Sequence, residues 1–305
     1  MFIFIVMIFM HFTSLCFGQT ISIENLNSEE VDNKMQLIKI GDLNVKSASC
    51  EYLWICEILQ TVDNLIIPAE EIKGEFVFDG SKEYCSQNGI KSYVTRESDI
   101  SKAQFISKSV FDGEITNSYQ ISRRLPNGIY EVNGTRNRNG NSVWIIVNPM
   151  KNIGAINNND LFNYFNSENR KLTHRYNGEV VVNSVVCDLF QSAIANSDTT
   201  ITVALAVNML MRPVRIDIDT EYFKIMININ YFVSENGYIF PKHKTIDFYS
   251  KSKSASSPDI LVYKHRITFS NPIINTLIPT SIFNIKYPRG SKIYDHANRT
   301  IVTIE

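Results

Sequence analysis

Eight of the thirteen glycines in this chain directly follow an asparagine or an aspartate: Gly80, Gly89, Gly113, Gly128, Gly134, Gly140, Gly178 and Gly237. Both members of such a pair tolerate the positive φ that a two-residue β-hairpin turn requires, so this bias predicts a meander of antiparallel strands. The clearest copies are Phe78-Asp79-Gly80-Ser81, Phe111-Asp112-Gly113-Glu114 and Tyr176-Asn177-Gly178-Glu179.

Between these turns the apolar period is two. Cys50, Tyr52, Trp54, Cys56 and Ile58 share one face of a strand predicted over 47–60, with Leu53, Ile55 and Leu59 on the other. Shorter strands are predicted over 73–78, 91–96, 105–111, 115–121, 129–132 and 143–147. Longer ones follow over 179–190, 200–211, 213–219, 221–233, 238–249 and 260–269, and 292–295 with 301–305 form a closing pair. Helical signals are confined to two places, after Asn27-Ser28-Glu29-Glu30 and after Asn159-Asp160. The predicted fold class is mainly β (α+β): a large curved antiparallel sheet or unclosed β-barrel with two short helices packed over it. Residues 19–305 read as a single domain, with the polar run 166–173 as the place for a subdivision.

The 30 basic and 31 acidic residues leave a net charge of -1, which supplies no field to gather nucleic acid. Residues 2–18 are almost continuously apolar and end in Cys16-Phe17-Gly18, the pattern of a leader cleaved after Gly18. A secreted or periplasmic protein is therefore expected. It retains Cys50, Cys56, Cys85 and Cys187, an even number that permits two disulfides. Cys50 and Cys56, on one face of one strand, lie about 20 Å apart and do not pair. Either Cys50 bonds Cys85 and Cys56 bonds Cys187, or Cys50 bonds Cys187 and Cys56 bonds Cys85; buried free thiols are the other reading.

Phe223, Ile225, Ile227, Ile229 and Tyr231 form an apolar face opposite Lys224, Asn228 and Asn230. A strand over 221–233 spans roughly 43 Å, so it must curve or be bulged. Together with Val203, Val207, Ile216 and Ile218 on neighbouring strands, these five are the candidate ligand-binding residues, lining a concave face for an apolar ligand. The same side chains also suit a filled core. Asp217, Asp219 and Glu221 alternate on one face, as a wet strand face or an acid-base pair would. Lys242, Lys244, Lys251, Lys253, Lys264 and Arg266 gather on one hairpin, a solvated rim or a site for anionic groups. No nucleophile elbow, phosphate loop or His-Glu-x-x-His occurs, and the histidines lack metal-ligand spacing, so no catalytic residue and no metal are expected.

Phe111-Asp112-Gly113-Glu114, Val147-Asn148-Pro149 ahead of the second helix, Arg212-Pro213-Val214-Arg215 between two long strands, and Pro288-Arg289-Gly290-Ser291-Lys292-Ile293-Tyr294-Asp295 carry a resemblance. Over residues 45–300 the chain resembles the periplasmic lipoprotein-carrier superfamily (LolA/LolB-like), particularly its larger secreted relatives with a lipoprotein-sorting-like domain. The resemblance implies an unclosed, highly curved barrel under a helical lid. It further implies an apolar cavity for the acyl chain of a lipid or lipoprotein, no catalysis and no cofactor. The alternative is a structural or interaction protein of an envelope or extracellular matrix that binds another protein and encloses no ligand.

Overall fold

A computed structural model describes residues 45–59, 67–94, 100–125, 129–137, 147–149, 172–194, 198–252 and 258–305. The leader, both expected helices and all but the last residue of the strand expected over 143–147 lie outside these residues. The first six strands are β1 (Ser47–Ile58), β2 (Glu70–Asp79), β3 (Lys82–Val94), β4 (Ile100–Phe111), β5 (Thr116–Leu125) and β6 (Ile129–Asn137). Next come β7 (Leu172–Val182), β8 (Val185–Ile194), β9 (Thr200–Ala206), β10 (Arg212–Asp219) and β11 (Phe223–Val233). The chain ends with β12 (Ile239–Ser250), β13 (Ile260–Ile274), β14 (Lys292–Asp295) and β15 (Thr300–Thr303).

These fifteen strands hydrogen-bond in the order β15-β14-β6-β5-β4-β3-β2-β1-β13-β12-β11-β10-β9-β8-β7. The fold is mainly β, and the sheet is unclosed because β7 and β15 end that order. Pairs whose register is described are antiparallel except β6 with β14. Register shifts interrupt β1 between Ser49 and Glu51, β7 between Tyr176 and Glu179, and β10 between Pro213 and Arg215. Such bulges bend the strand that carries them. Two compact units are distinguishable: residues 172–229 and 250–259 belong to one, and 45–149, 230–249 and 260–305 to the other.

Several turns fall where the residues predict them. Gly80 joins β2 to β3 at φ +58° and Gly237 precedes β12 at φ +77°. Between β4 and β5 the Asp112 carboxylate accepts the Ile115 N–H at 2.7 Å and the Glu114 N–H at 3.0 Å, a local cap that competes successfully with a plain two-residue turn. Ser291 N–H closes the Pro288 turn at 3.1 Å, and β14 pairs with β15 as expected.

Other expectations need correction. Gly178 makes no hairpin but sits at φ +86° in the β7 bulge; the hairpin turn lies at Asn183 and Ser184, with φ of 50° and 67°. The strand expected over 179–190 is thus parts of two. Gly89 lies inside β3, where a Cβ would come within 2.6 Å of the Glu71 carbonyl oxygen. Close backbone approach, not turning, explains it. The strand expected over 200–211 stops at Ala206, where a 3₁₀ turn (Val207–Met209) and left-handed Leu210 and Met211 reverse the chain. Arg212-Pro213-Val214-Arg215 is then part of β10, its proline accommodated by the bulge.

In the larger unit, register places Cys50, Phe76, Cys85 and Ser109 in one cross-strand row and Tyr52, Gly74, Gln87 and Ser107 in the next. All of these except Gly74 are at most 4% exposed. On the opposite face Val77 and Val110 pack against Ile278 and Phe283 of the segment after β13, with Tyr84, Ile282 and Ile285 around them. That segment, with its short 3₁₀ turn (Thr280–Phe283), is the described cover of β2–β4.

The row also decides the cysteines. Cys50 faces Phe76 and Phe76 faces Cys85, so two strand spacings, roughly 10 Å, separate Cys50 from Cys85, against a limit of roughly 7 Å for a disulfide. Cys56 faces Glu70, six residues along β2 from Phe76, and is farther still. Both expected disulfide schemes used Cys85 with one of these partners, so both fall; the four are free and buried. Burial pushes the Cys85 thiol up to about 12 and those of Cys56 and Cys187 to about 11, which keeps them protonated and poorly nucleophilic at neutral pH.

Lys244, expected on a solvated rim, is instead 1% exposed. Its Nζ donates to the Asn148 carbonyl at 3.4 Å, and Asn148 Nδ2 donates to Glu83 Oε1 at 3.3 Å. Burial lowers its ammonium to about 7 from the ordinary 10.5.

Thiol titration without reductant is expected to read none of these four cysteines in the folded protein and all four after denaturation; a deficit of two would restore a disulfide. Lys244 predicts a pH effect. Between about 7 and 10.5 the unfolded chain holds a proton that the folded chain has lost, so stability rises with pH there, by at most about 1.4 kcal/mol per unit. Urea unfolding across that range should show the rise, and Lys244→Met should flatten it.

Candidate functional site

The apolar strip expected on the long strands forms within the smaller unit. Phe190 faces Val203, Val203 faces Ile216, and Ile216 faces Ile227 across β8–β11. Their exposures of 2%, 0%, 2% and 0% place this row in a packed core. One row along the strands, Ile201, Ile218 and Ile225 face one another, and Ile218, Ile225 and Phe223 are only half-buried. The strip therefore runs from closed to open along β10 and β11. Ile229 is buried, while Tyr231 falls in the part of β11 that belongs to the larger unit. Val207 is not in the strip: it leads the 3₁₀ turn after β9 and is 41% exposed.

The charged candidates on β10 are paired. Arg215 Nε binds the Asp217 carboxylate at 2.9 Å, and Lys251 is ion-paired with Asp219. Each carboxylate thus has a cation of its own. In the larger unit Arg266 is ion-paired with Glu57. Of the six basic residues expected on one hairpin, Lys244 is in the core and Lys251 and Arg266 are committed to acids, while Lys253 lies outside the described residues. His265 accepts a hydrogen bond from Trp54 Nε1 at its Nδ1, 3.1 Å away, and burial lowers its pKa. No group of three His, Cys, Asp or Glu that suits a metal occurs among the described residues.

A second feature escaped the sequence reading. Followed outward from β3, the face that carries Tyr52 changes character: Cys85 gives way to Ser109, Ser118 and Thr135, and Gln87 to Ser107, Gln120 and Asn133. A pocket of about 290 Å³ lies over these residues, with Tyr119 and Gly134 in its lining. Ser107 and Ser109 at its closed end are 2% and 4% exposed, Ser118 and Gln120 are half-buried, and Asn133 and Thr135 are exposed at its mouth. Ser107 Oγ donates to Gln87 Oε1 at 3.1 Å, Ser118 and Thr135 share a hydroxyl hydrogen bond of 2.7 Å, and Gln120 Nε2 donates to Ser122 Oγ at 2.7 Å. The signal was a period-two run of serine and amide side chains on three consecutive strands. Apolar alternation alone does not register such a run, because it counts these residues as the wet face.

No helix among the described residues is long and apolar enough to cross a membrane, which leaves strand-type membrane insertion untouched. No family model matches the sequence, and no curated protein matches it. Among solved structures, the fold is similar to a DUF1329 family protein from Desulfovibrio piger, at 11% identity over 88% of this chain and 99% of that one, with a TM-score of 0.42. A porin-like protein from Bacteroides uniformis covers 74% of this chain and 96% of its own at 7% identity and a TM-score of 0.25. A chain of the Pseudomonas aeruginosa MucA/MucB complex covers 78% and 93% at 7% identity and a TM-score of 0.22. Superpositions this loose carry no argument about activity or partners.

Proposed function

We propose that this protein is a noncatalytic, exported binding protein that holds a lipid or other apolar ligand against the apolar face of β9–β11. The supporting observation is the gradient along that face, from Val203, Ile216 and Ile227 in the core to half-buried Phe223, Ile218 and Ile225. A packed floor with a partly open apolar end offers an acyl chain about 25 cal/mol per Å² of surface removed from water. Ion pairing of Asp217 and Asp219 with Arg215 and Lys251 fits a scaffold role for the opposite face of β10. The resemblance to lipoprotein carriers points the same way.

A second reading, an interaction protein without an enclosed ligand, is favoured by β15. This edge strand is exposed throughout, with Ile301 at 68% and Val302 at 50%, and offers unpaired backbone groups to another strand.

Lipid extraction and native mass spectrometry of the purified protein test the first reading. The expected result is a co-purifying acyl-chain ligand whose occupancy drops at least about fivefold in Ile225→Lys, since a buried ammonium opposes an apolar ligand, with circular dichroism unchanged. Absence of any extractable or exchangeable lipid from folded protein would remove it and leave the edge-strand reading.

A further inference from the structure

We infer that the polar pocket over β4–β6 is a binding site for a small neutral saccharide, separate from the apolar strip and of opposite chemistry. Its lining holds no Lys, Arg, Asp or Glu, so nothing there recompenses a phosphate, carboxylate or ammonium for leaving water. What it presents instead are hydroxyls and amides from Ser107, Ser109, Ser118, Gln120, Asn133 and Thr135. A hydroxyl donates one hydrogen bond and accepts two, and a carboxamide offers a donor and an acceptor side by side, the match for the adjacent hydroxyls of a sugar ring.

The closed end is held in place from beneath. Gln87, in the row that continues inward from Ser107, is 1% exposed; its Oε1 accepts the Ser107 hydroxyl, and its side chain interacts with the Tyr52 hydroxyl in the same row. That contact fixes the Ser107 hydroxyl, so the floor of the pocket presents an oriented polar group. The volume of about 290 Å³ sits at the lower edge of small-molecule sites, roughly 300–1,000 Å³, which suits a mono- or disaccharide and excludes a folded partner. The graded exposure, buried at Ser107 and open at Asn133 and Thr135, gives the ligand an entry route.

Lys102 and Lys108 of β4 and Arg123 of β5 lie on the opposite face of the same strands, out of the pocket's rows. The paired positions that line the pocket are all uncharged.

Isothermal titration and saturation-transfer NMR with maltose, trehalose and chitobiose, each set against inorganic phosphate, test this on the full-length protein. Saturable binding of at least one of the sugars is expected, weakened about tenfold or more by Ser118→Ala and by Gln120→Leu. Ile225→Lys, in the apolar strip, should leave sugar binding unchanged, so failure of the lipid reading and failure of this one are distinguishable. Folded protein that binds none of the three sugars at millimolar concentration, that binds phosphate more tightly, or whose sugar binding ignores both pocket substitutions would overturn the assignment.

Discussion

The register that sets Tyr52 opposite Gly74 determines which side chains every strand from β1 to β6 turns toward the buried face. A Cβ on Gly74 would come within 1.9 Å of the Ser86 carbonyl oxygen and 2.5 Å of the Tyr52 hydroxyl, so the tyrosine ring occupies space that only glycine leaves free. Its hydroxyl donates to that same carbonyl at 2.8 Å. The contact satisfies a buried phenol and pins two strands in one operation. A slip of one residue would turn Cys50, Tyr52, Trp54 and Cys56 outward and bring Glu51 and Glu57 into the core, a cost no neighbouring interaction offsets.

From that anchor the rows propagate. Each hydrogen-bonded neighbour inherits its facing from the last, so β3 must present Cys85 and Gln87, β4 must present Ser107 and Ser109, and β5 must present Ser118 and Gln120. The chemistry of the face changes along the way while its geometry does not. Phe76 and Cys85 make a dry interior; two strands later hydroxyls and amides make a pocket. The smaller unit follows the same logic with apolar residues throughout, and its row of Phe190, Val203, Ile216 and Ile227 stays closed until the strand ends open it.

Polar groups inside the larger unit are held in a chain of donors and acceptors. Lys244, Asn148 and Glu83 connect in sequence, and the lysine's lowered pKa is the consequence of carrying an amine into a region with little water. The thiols of Cys50, Cys56 and Cys85 experience the same environment and respond in the opposite direction, because for them the proton-free form is the charged one. Burial thus explains both the masked lysine and the unreactive cysteines without a disulfide or a metal.

Alternation and turn chemistry were local, and what they implied survived where no distant strand intervened. Strand class, the β1 face, the hairpin at Gly80, the Pro288 turn and the terminal β14–β15 pair depend on residues within a few positions of one another. The apolar face of β9–β11 was legible for the same reason, except at Val207, where left-handed Leu210 and Met211 ended the strand early. Neighbours distant in sequence decided the rest. Whether Asn-Gly turns or bulges, whether Lys244 meets water, and whether Cys50 reaches Cys85 all turn on which strand lies beside which. The polar pocket is the clearest case: Ser107, Gln120 and Asn133 are unremarked residues on three separate strands until pairing places them in one row. Local sequence sets the period of a strand, but a face acquires its chemistry only when register aligns it with others.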